Sequence, residues 1–151
     1  MKEFKGRVIT PGEWMGKAIV TKEVVNMMDT FYTSAYKKNK QAVGGDPKNS
    51  DLYGKVLTGN ALCLPHSKAS AITGLVIQTI CEMKISPAAY LFSNSIDEVA
   101  ASGIILAKIW EDSEVICIDN LGSDFLDAIK TDDEIKIEYD GTVKIIDKDD
   151  K

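Results

Sequence analysis

Between Ala61 and Ile118 the 151-residue chain alternates short apolar runs with longer amphipathic ones, an order that few folds accept. Ala61 to Leu64 is wholly apolar and stops at Pro65, the mark of a short buried strand. From Ser70 to Lys84 the apolar residues Ile72, Leu75, Val76, Ile80 and Met83 recur, with Thr79, at the spacing of one helix face. Ala88 to Ser93 is a second strand. A second helix follows, opened by Ser95-Ile96-Asp97-Glu98 in the pattern of a capping box and running to about Trp110. Val115 to Ile118 completes the series. Strand, helix, strand, helix, strand requires two right-handed crossovers and a parallel sheet covered by helices.

The flanks add strands of another kind. Phe4 to Ile9 and Lys17 to Thr21 read as a pair of strands joined at Pro11-Gly12, and Glu134 to Tyr139 with Thr142 to Ile146 form a hairpin about Asp140-Gly141. Leu121, Phe125, Leu126 and Ile129 mark a short helix before it. Lys22 to Tyr36 is less regular: Val24, Val25, Met28, Phe31 and Tyr32 fit a helix face, whereas Thr30 and Thr33 are poor helix formers. Lys37 to Asn49 is a polar loop ending in Gly44-Gly45-Asp46-Pro47, and residues 147–151 form a charged tail expected to fray. The expectation is one α/β domain spanning residues 1–151, its parallel strands joined by antiparallel strands from both termini.

Composition removes several function classes. A net charge of −5 and a pI near 4.9 leave no basic stripe for nucleic acid. No apolar run approaches the ~20 residues that cross a bilayer, and no charged-then-apolar leader opens the chain, so a cytoplasmic protein is expected. Cys63, Cys81 and Cys117 lie 18 and 36 positions apart among apolar neighbours, and one histidine cannot complete a usual zinc set. They read as structural thiols, and no metal is expected on this chain.

Candidate chemistry collects in Pro65 to Ser70, PHSKAS, between the first parallel strand and its helix. A helix start carries unpaired N–H groups and a positive dipole end, suited to holding an anion or a reacting oxygen. Ser70 has two readings: a helix N-cap, or a substrate-handling hydroxyl supported by the helix start and Lys68. His66 is either a loop residue bonded to backbone or a base. No partner acid, metal set or Ser-His-Asp order surrounds them, so the chain supplies part of a site rather than a whole one.

The stretch GRVITPGEWMGKAIVT (Gly6 to Thr21) resembles the opening of the small, swivelling subunit of the aconitase X family. Asp46-Pro47, Asp51-Leu52-Tyr53-Gly54 and Gly59 resemble its next block, PHSKAS its Pro-Arg-Gly-Lys/Arg-Gly-Ser loop, and SPAAYLF (Ser86 to Phe92) with the Gly103 helix continue the likeness. The family pattern has Arg where this chain has His66 and Gly where it has Ala69. Lys22 to Asn49 diverges from the family's Ser-Phe-x-Gly-Gly-Val-Asp segment.

The resemblance implies a swivelling β/β/α fold and hydro-lyase chemistry on a small hydroxy acid, such as cis-3-hydroxy-L-proline or phosphomevalonate. It implies a large subunit that carries an iron–sulfur cluster, with no cofactor bound by this chain. Ser70 then matches the proton-accepting serine, and His66, Ser67 and Lys68 are the implied substrate contacts. Two other readings compete for the same loop: a phosphohistidine-type swivel domain using His66, and a non-catalytic binding or regulatory scaffold.

Overall fold

The computed structural model describes residues 1–150. Its strands are β1 (Lys2–Lys5), β2 (Arg7–Thr10), β3 (Trp14–Val20), β4 (Val25–Asn26), β5 (Ala61–Leu64), β6 (Ser67–Lys68), β7 (Ala89–Phe92), β8 (Ile116–Asp119), β9 (Glu134–Ile137) and β10 (Thr142–Ile145). The helices are α1 (Met27–Tyr36), α2 (Thr73–Glu82), α3 (Glu98–Glu111) and α4 (Ser123–Ala128).

Eight strands form one sheet in the order β1-β10-β9-β3-β5-β7-β8-β2. The central run β3-β5-β7-β8 is parallel, and the strands from both ends of the chain add antiparallel to it. The α/β expectation and the two crossovers stand. The outermost strands, β1 and β2, are separated in sequence only by Gly6, so the sheet curls until its edges meet there. Gly6 permits the closure: its N–H donates to the Gly141 carbonyl at 3.2 Å, and a Cβ at this position would lie 2.3 Å from the Asp119 carbonyl oxygen.

Alternation along the strands separates two cores. Ala61, Cys63, Ala89, Leu91, Ile116 and Ile118 point into the curled sheet, where they meet Phe125 of α4 and Ile135, Ile137 and Val143 of the hairpin. Leu62, Leu64, Tyr90, Phe92 and Cys117 point outward, against Phe31 of α1, Ile77 and Ile80 of α2, and Ala100 and Ile104 of α3. With both faces covered, β5, β7 and β8 are apolar up to Asp119 at the end of β8, which is why they read as continuous runs. Helices α2 and α3 meet at Gly74 and Gly103; a Cβ on Gly103 would lie 2.6 Å from the Gly74 carbonyl oxygen.

Four local expectations are corrected. The Pro11-Gly12 turn does not join paired strands: β2 pairs with β8, and β3 pairs with β5 and β9. Helix α2 begins at Thr73 rather than Ser70 and ends at Glu82. Its buried face is Thr73, Val76, Ile77, Ile80 and Cys81, leaving Ile72 and Leu75 51% and 64% exposed. Helix α3 is capped by Asp97, which accepts from the Ala100 N–H, while Ser95 turns away to donate to Asn120 Oδ1 at 2.9 Å. Asp97 wins because it is the residue directly before the first helical turn.

The divergent segment supplies β4 and α1, and α1 packs on α2. At the chain ends the Met1 amino group pairs with Asp147, and Lys148–Asp150 form a single 3-10 turn. The fraying expected of the tail extends to Lys151, outside the described residues.

Candidate functional site

The loop after β5 leaves the sheet at the carboxyl end of the parallel strands. Two flanking segments hold its first half. On one side β4 pairs parallel with β6, matching Val25 to Ser67 and Asn26 to Lys68, and the Val25 N–H donates to the His66 carbonyl at 3.0 Å. On the other side lies the β7–α3 connection. The Asn94 N–H donates to the Pro65 carbonyl, and His66 Nδ1 stands 3.0 Å from the Ser95 carbonyl. A carbonyl oxygen only accepts, so Nδ1 carries the ring proton and Nε2 of the exposed imidazole is the free nitrogen. Ser67 is buried, and its hydroxyl donates to Asp97 Oδ2, while Asp97 Oδ1 caps α3.

The β7–α3 connection is itself anchored. Arg7 grips the wholly buried Asp119 with two bonds of 2.9 and 2.6 Å, and Asp119 Oδ2 also accepts the Ile96 N–H at 2.9 Å. The buried carboxylate is therefore satisfied from two directions, and its hydrogen bond raises the Arg7 guanidinium pKa further. The chain of bonds runs from Arg7 through Asp119 and the backbone at 95–97 to His66 and Ser67.

Beyond Lys68 the ties to β4 and to the β7–α3 connection end. Lys68, Ala69 and Ser70 are exposed, and Lys68 has no ion-pair partner among the described residues. Ser70 does not cap α2 with its side chain; that reading is corrected, since Ile72 occupies the cap position and makes no side-chain cap bond. The bonds run the other way. The Ser70 N–H donates to Thr73 Oγ1 at 2.9 Å, Ser70 Oγ lies 3.1 Å from the same oxygen, and the Thr73 N–H donates to the Ser70 carbonyl at 3.0 Å.

The structure thus leaves Lys68 and Ser70 exposed at the end of the loop. It sets Ser67 inside, and turns the His66 Nδ1 toward backbone. Sequence reasoning missed Asp97 and Thr73, although each carries a legible sign: an Asp just before an apolar helix, and a Thr three residues after a Ser.

The thiols do not form a ligand set for a cluster. Cys63 faces the interior of the curled sheet, Cys117 faces the helices, and burial pushes both thiols up; burial also raises the Cys81 thiol. Among the described residues no group of three His, Cys, Asp or Glu side chains is placed to hold a metal ion, so the residues present do not fit an iron–sulfur cluster. No helix among them is long and apolar enough to cross a membrane.

Residues 3–145 match the family described as the aconitase X swivel domain. The chain belongs to this family. Among its relatives, the phosphomevalonate dehydratase small subunit of Methanococcoides burtonii is 25% identical over 143 residues, covering 94% of each chain. That of Archaeoglobus fulgidus is 23% identical over 145 residues, covering 95% of this chain and 98% of the relative. The crystal structure of holo-form aconitase X from Thermococcus kodakaraensis superposes with a TM-score of 0.81 over 97% of this chain and 100% of that one, at 20% identity. A solution NMR structure of a UPF0107 protein gives 0.77 at 23% identity, again over 97% of this chain and 100% of that one. These likenesses give the swivel fold.

Proposed function

We propose that this chain is the small subunit of an aconitase X-type dehydratase, inactive alone, lending Ser70 and Lys68 to a site completed by a large subunit. The observation that carries this reading is the exposed end of the loop. The Ser70 hydroxyl and the Lys68 ammonium, two residues apart, are both exposed, and among the described residues no group of three His, Cys, Asp or Glu side chains is placed to hold a metal ion beside them. The relatives named as phosphomevalonate dehydratase small subunits support the reaction class. The exposed Ile72 and Leu75, beside Ser70, supply apolar surface for the large subunit to cover.

In the dehydration, Ser70 Oγ accepts the proton from a substrate carbon. The C–H electron pair becomes the new C=C bond, and the hydroxyl on the adjacent carbon departs with its bonding pair. Ser70 reacts as its alkoxide, and the departing hydroxide then takes the proton from Ser70 Oγ, so that the two leave as water and the alkoxide is restored. Serine is a demanding base, so the step requires water to be excluded and donors to be aimed at the oxygen. Docking of the large subunit meets the first need, and the start of α2 with Lys68 meets the second. Lys68 holds an anionic group of the substrate, the carboxylate or phosphate of phosphomevalonate or the carboxylate of cis-3-hydroxy-L-proline. His66 Nε2 is free to contact the same anion. Any iron–sulfur cluster belongs to the large subunit.

The test is reconstitution with the large subunit and assay of phosphomevalonate first, then cis-3-hydroxy-L-proline. Ser70→Ala is expected to leave folding and subunit pairing intact and to remove turnover. Wild-type turnover in that complex would overturn the role of Ser70. Failure of the wild-type complex to dehydrate any hydroxy acid would overturn the reaction class.

A further inference from the structure

The Ser70–Thr73 pair carries an assignment beyond the serine itself. Thr73 is the first residue of α2 and is fully buried, whereas Ser70 is exposed. Among the described residues the polar atoms in hydrogen-bond reach of Thr73 Oγ1 are both on Ser70: the amide nitrogen at 2.9 Å and Oγ at 3.1 Å. A threonine hydroxyl offers one proton and two lone pairs. The Ser70 N–H occupies a lone pair, and the proton of a hydroxyl shut off from water needs an acceptor, since an unsatisfied buried donor is costly. Ser70 Oγ is that acceptor. Ser70 is under no such constraint, because it is exposed and its hydroxyl can bond to water.

We propose that Thr73 is the positioning residue for Ser70, its buried hydroxyl donating to Ser70 Oγ and holding that oxygen in one rotamer toward the open side of the loop. The assignment rests on the reading of Ser70 as the proton acceptor. A donor fixed behind the oxygen favours its deprotonated form and leaves its remaining lone pairs for the substrate proton. Thr73 keeps its own proton throughout: the substrate C–H bond breaks, the O–H bond forms on Ser70, and Thr73 O–H remains a donor before and after. The threonine is in turn fixed by the helix contact behind it, where Gly74 and Gly103 bring α2 and α3 together. Turning the Thr73 hydroxyl elsewhere would cost it both of its partners on Ser70 in a buried setting.

The experiment compares Thr73→Val, which keeps the shape and deletes the hydroxyl, with Thr73→Ser, which keeps the hydroxyl. Both are reconstituted with the large subunit, beside Ser70→Ala, and assayed with phosphomevalonate across pH. Thr73→Val is expected to lower kcat by about 10- to 100-fold, the range of a single positioned donor or proton-handling group. KM should stay within about twofold, because Thr73 bonds to Ser70 and is buried away from the substrate. The rising limb of its pH–kcat profile should move to higher pH, and Thr73→Ser should recover most of the rate and the wild-type profile. A purely structural threonine would lower stability and leave the profile in place.

Wild-type kcat and pH profile in Thr73→Val, with Ser70→Ala dead, would overturn the Thr73 assignment alone. Turnover in Ser70→Ala would overturn the reading beneath it. A measurement on the unmutated chain decides the matter if Thr73→Val does not fold. The Hα–Hβ couplings of Ser70 should report a single χ1 rotamer, and averaged couplings would overturn the proposal.

Discussion

The two ends of the parallel strands offer opposite kinds of surface. At their amino ends lies an open hollow of about 1040 Å³, bounded by the residues before β3, β5, β7 and β8 and by the last turns of α2 and α3. At their carboxyl ends stands the exposed tip of the PHSKAS loop. Shape alone selects the amino end, but the chemistry points the other way. Helices α2 and α3 direct their carboxyl termini at the hollow, where Glu82, Glu111, Asp112 and Glu114 add negative charge and Lys84 and Lys108 only partly offset it. An anionic hydroxy acid is repelled there. The amino termini of the same helices point to the loop, where Lys68 and Ser70 stand, beyond the carboxyl ends of the parallel strands, the end at which α/β sheets bind ligands. A subunit that supplies half of a site need not be concave by itself; it becomes so on assembly.

The sharpest way to break this comparison is one substitution at each end. Ser70→Ala should reduce turnover of the reconstituted complex by about 100-fold or more, the scale of a lost proton-transfer group. Glu82→Gln, on the wall of the hollow, should leave it within about twofold, as expected of a surface change far from the chemistry. The reverse pattern would move the site to the hollow. The next effect in size is at Lys68. Lys68→Met should raise KM about 10-fold, the loss of one charge-assisted bond, with a smaller change in kcat. It should also flatten the dependence of KM on ionic strength, and Lys68→Arg should restore both. A KM indifferent to Lys68 would leave the carboxyl end with a base and no anion contact.

Within the loop the contrast is between its tied and free halves. Ser67→Ala deletes a buried bond to the Asp97 carboxylate, costing about 1.5–3 kcal/mol of stability. At roughly 2–4 °C per kcal/mol for a chain of this size, the melting temperature should fall by about 3–12 °C. Turnover should fall only as far as loosening of Lys68 and Ser70 allows, several-fold rather than a hundredfold. A variant that melts normally yet loses all activity would make Ser67 a substrate contact, the role implied by the family resemblance.

These contrasts track what could be read in the sequence. β5, β7 and β8 were legible because a strand covered on both faces has no polar position to interrupt it, and Pro65 and Pro87 punctuate the runs. The closure at Gly6 was not legible, since β1 and β2 find partners more than a hundred residues away and nothing local names them. The start of α2 was misread because a Ser and a Thr three apart can bond in either direction, and burial of Thr73 settles which. Ile72 and Leu75 have the right period for a core face but lie on its edge, where only the position of α1 and α3 decides what is covered. Their exposure is the structural trace of an incomplete surface. For the proposed site, the sequence pointed to the loop and Ser70 as residues, while the bonds that hold the loop were not legible. Asp97, Asp119 and Arg7 act through contacts between distant segments, and Ser95 competes with Asp97 for the cap until Asn120 claims it.

The smallest effect belongs to neither end and calibrates the others. Asp140, in the β9–β10 turn, is held below the usual carboxylate range chiefly by hydrogen bonds from Thr142, with a lesser contribution from Lys5. A carboxylate whose folded pKa is depressed contributes stability that is fully present above its unfolded pKa and is lost as pH falls through the folded one. Asp140→Asn should therefore lower the melting temperature slightly at neutral pH, and the difference from wild type should disappear as the medium is acidified below the ordinary carboxylate range. Because the group is fully exposed, added salt should shrink the part owed to Lys5 and leave the part owed to Thr142. Turnover by the complex should not change. A loss of activity from this hairpin would mean that the large subunit reads β9 and β10 as well as the loop, and the two-ended comparison would need a third surface.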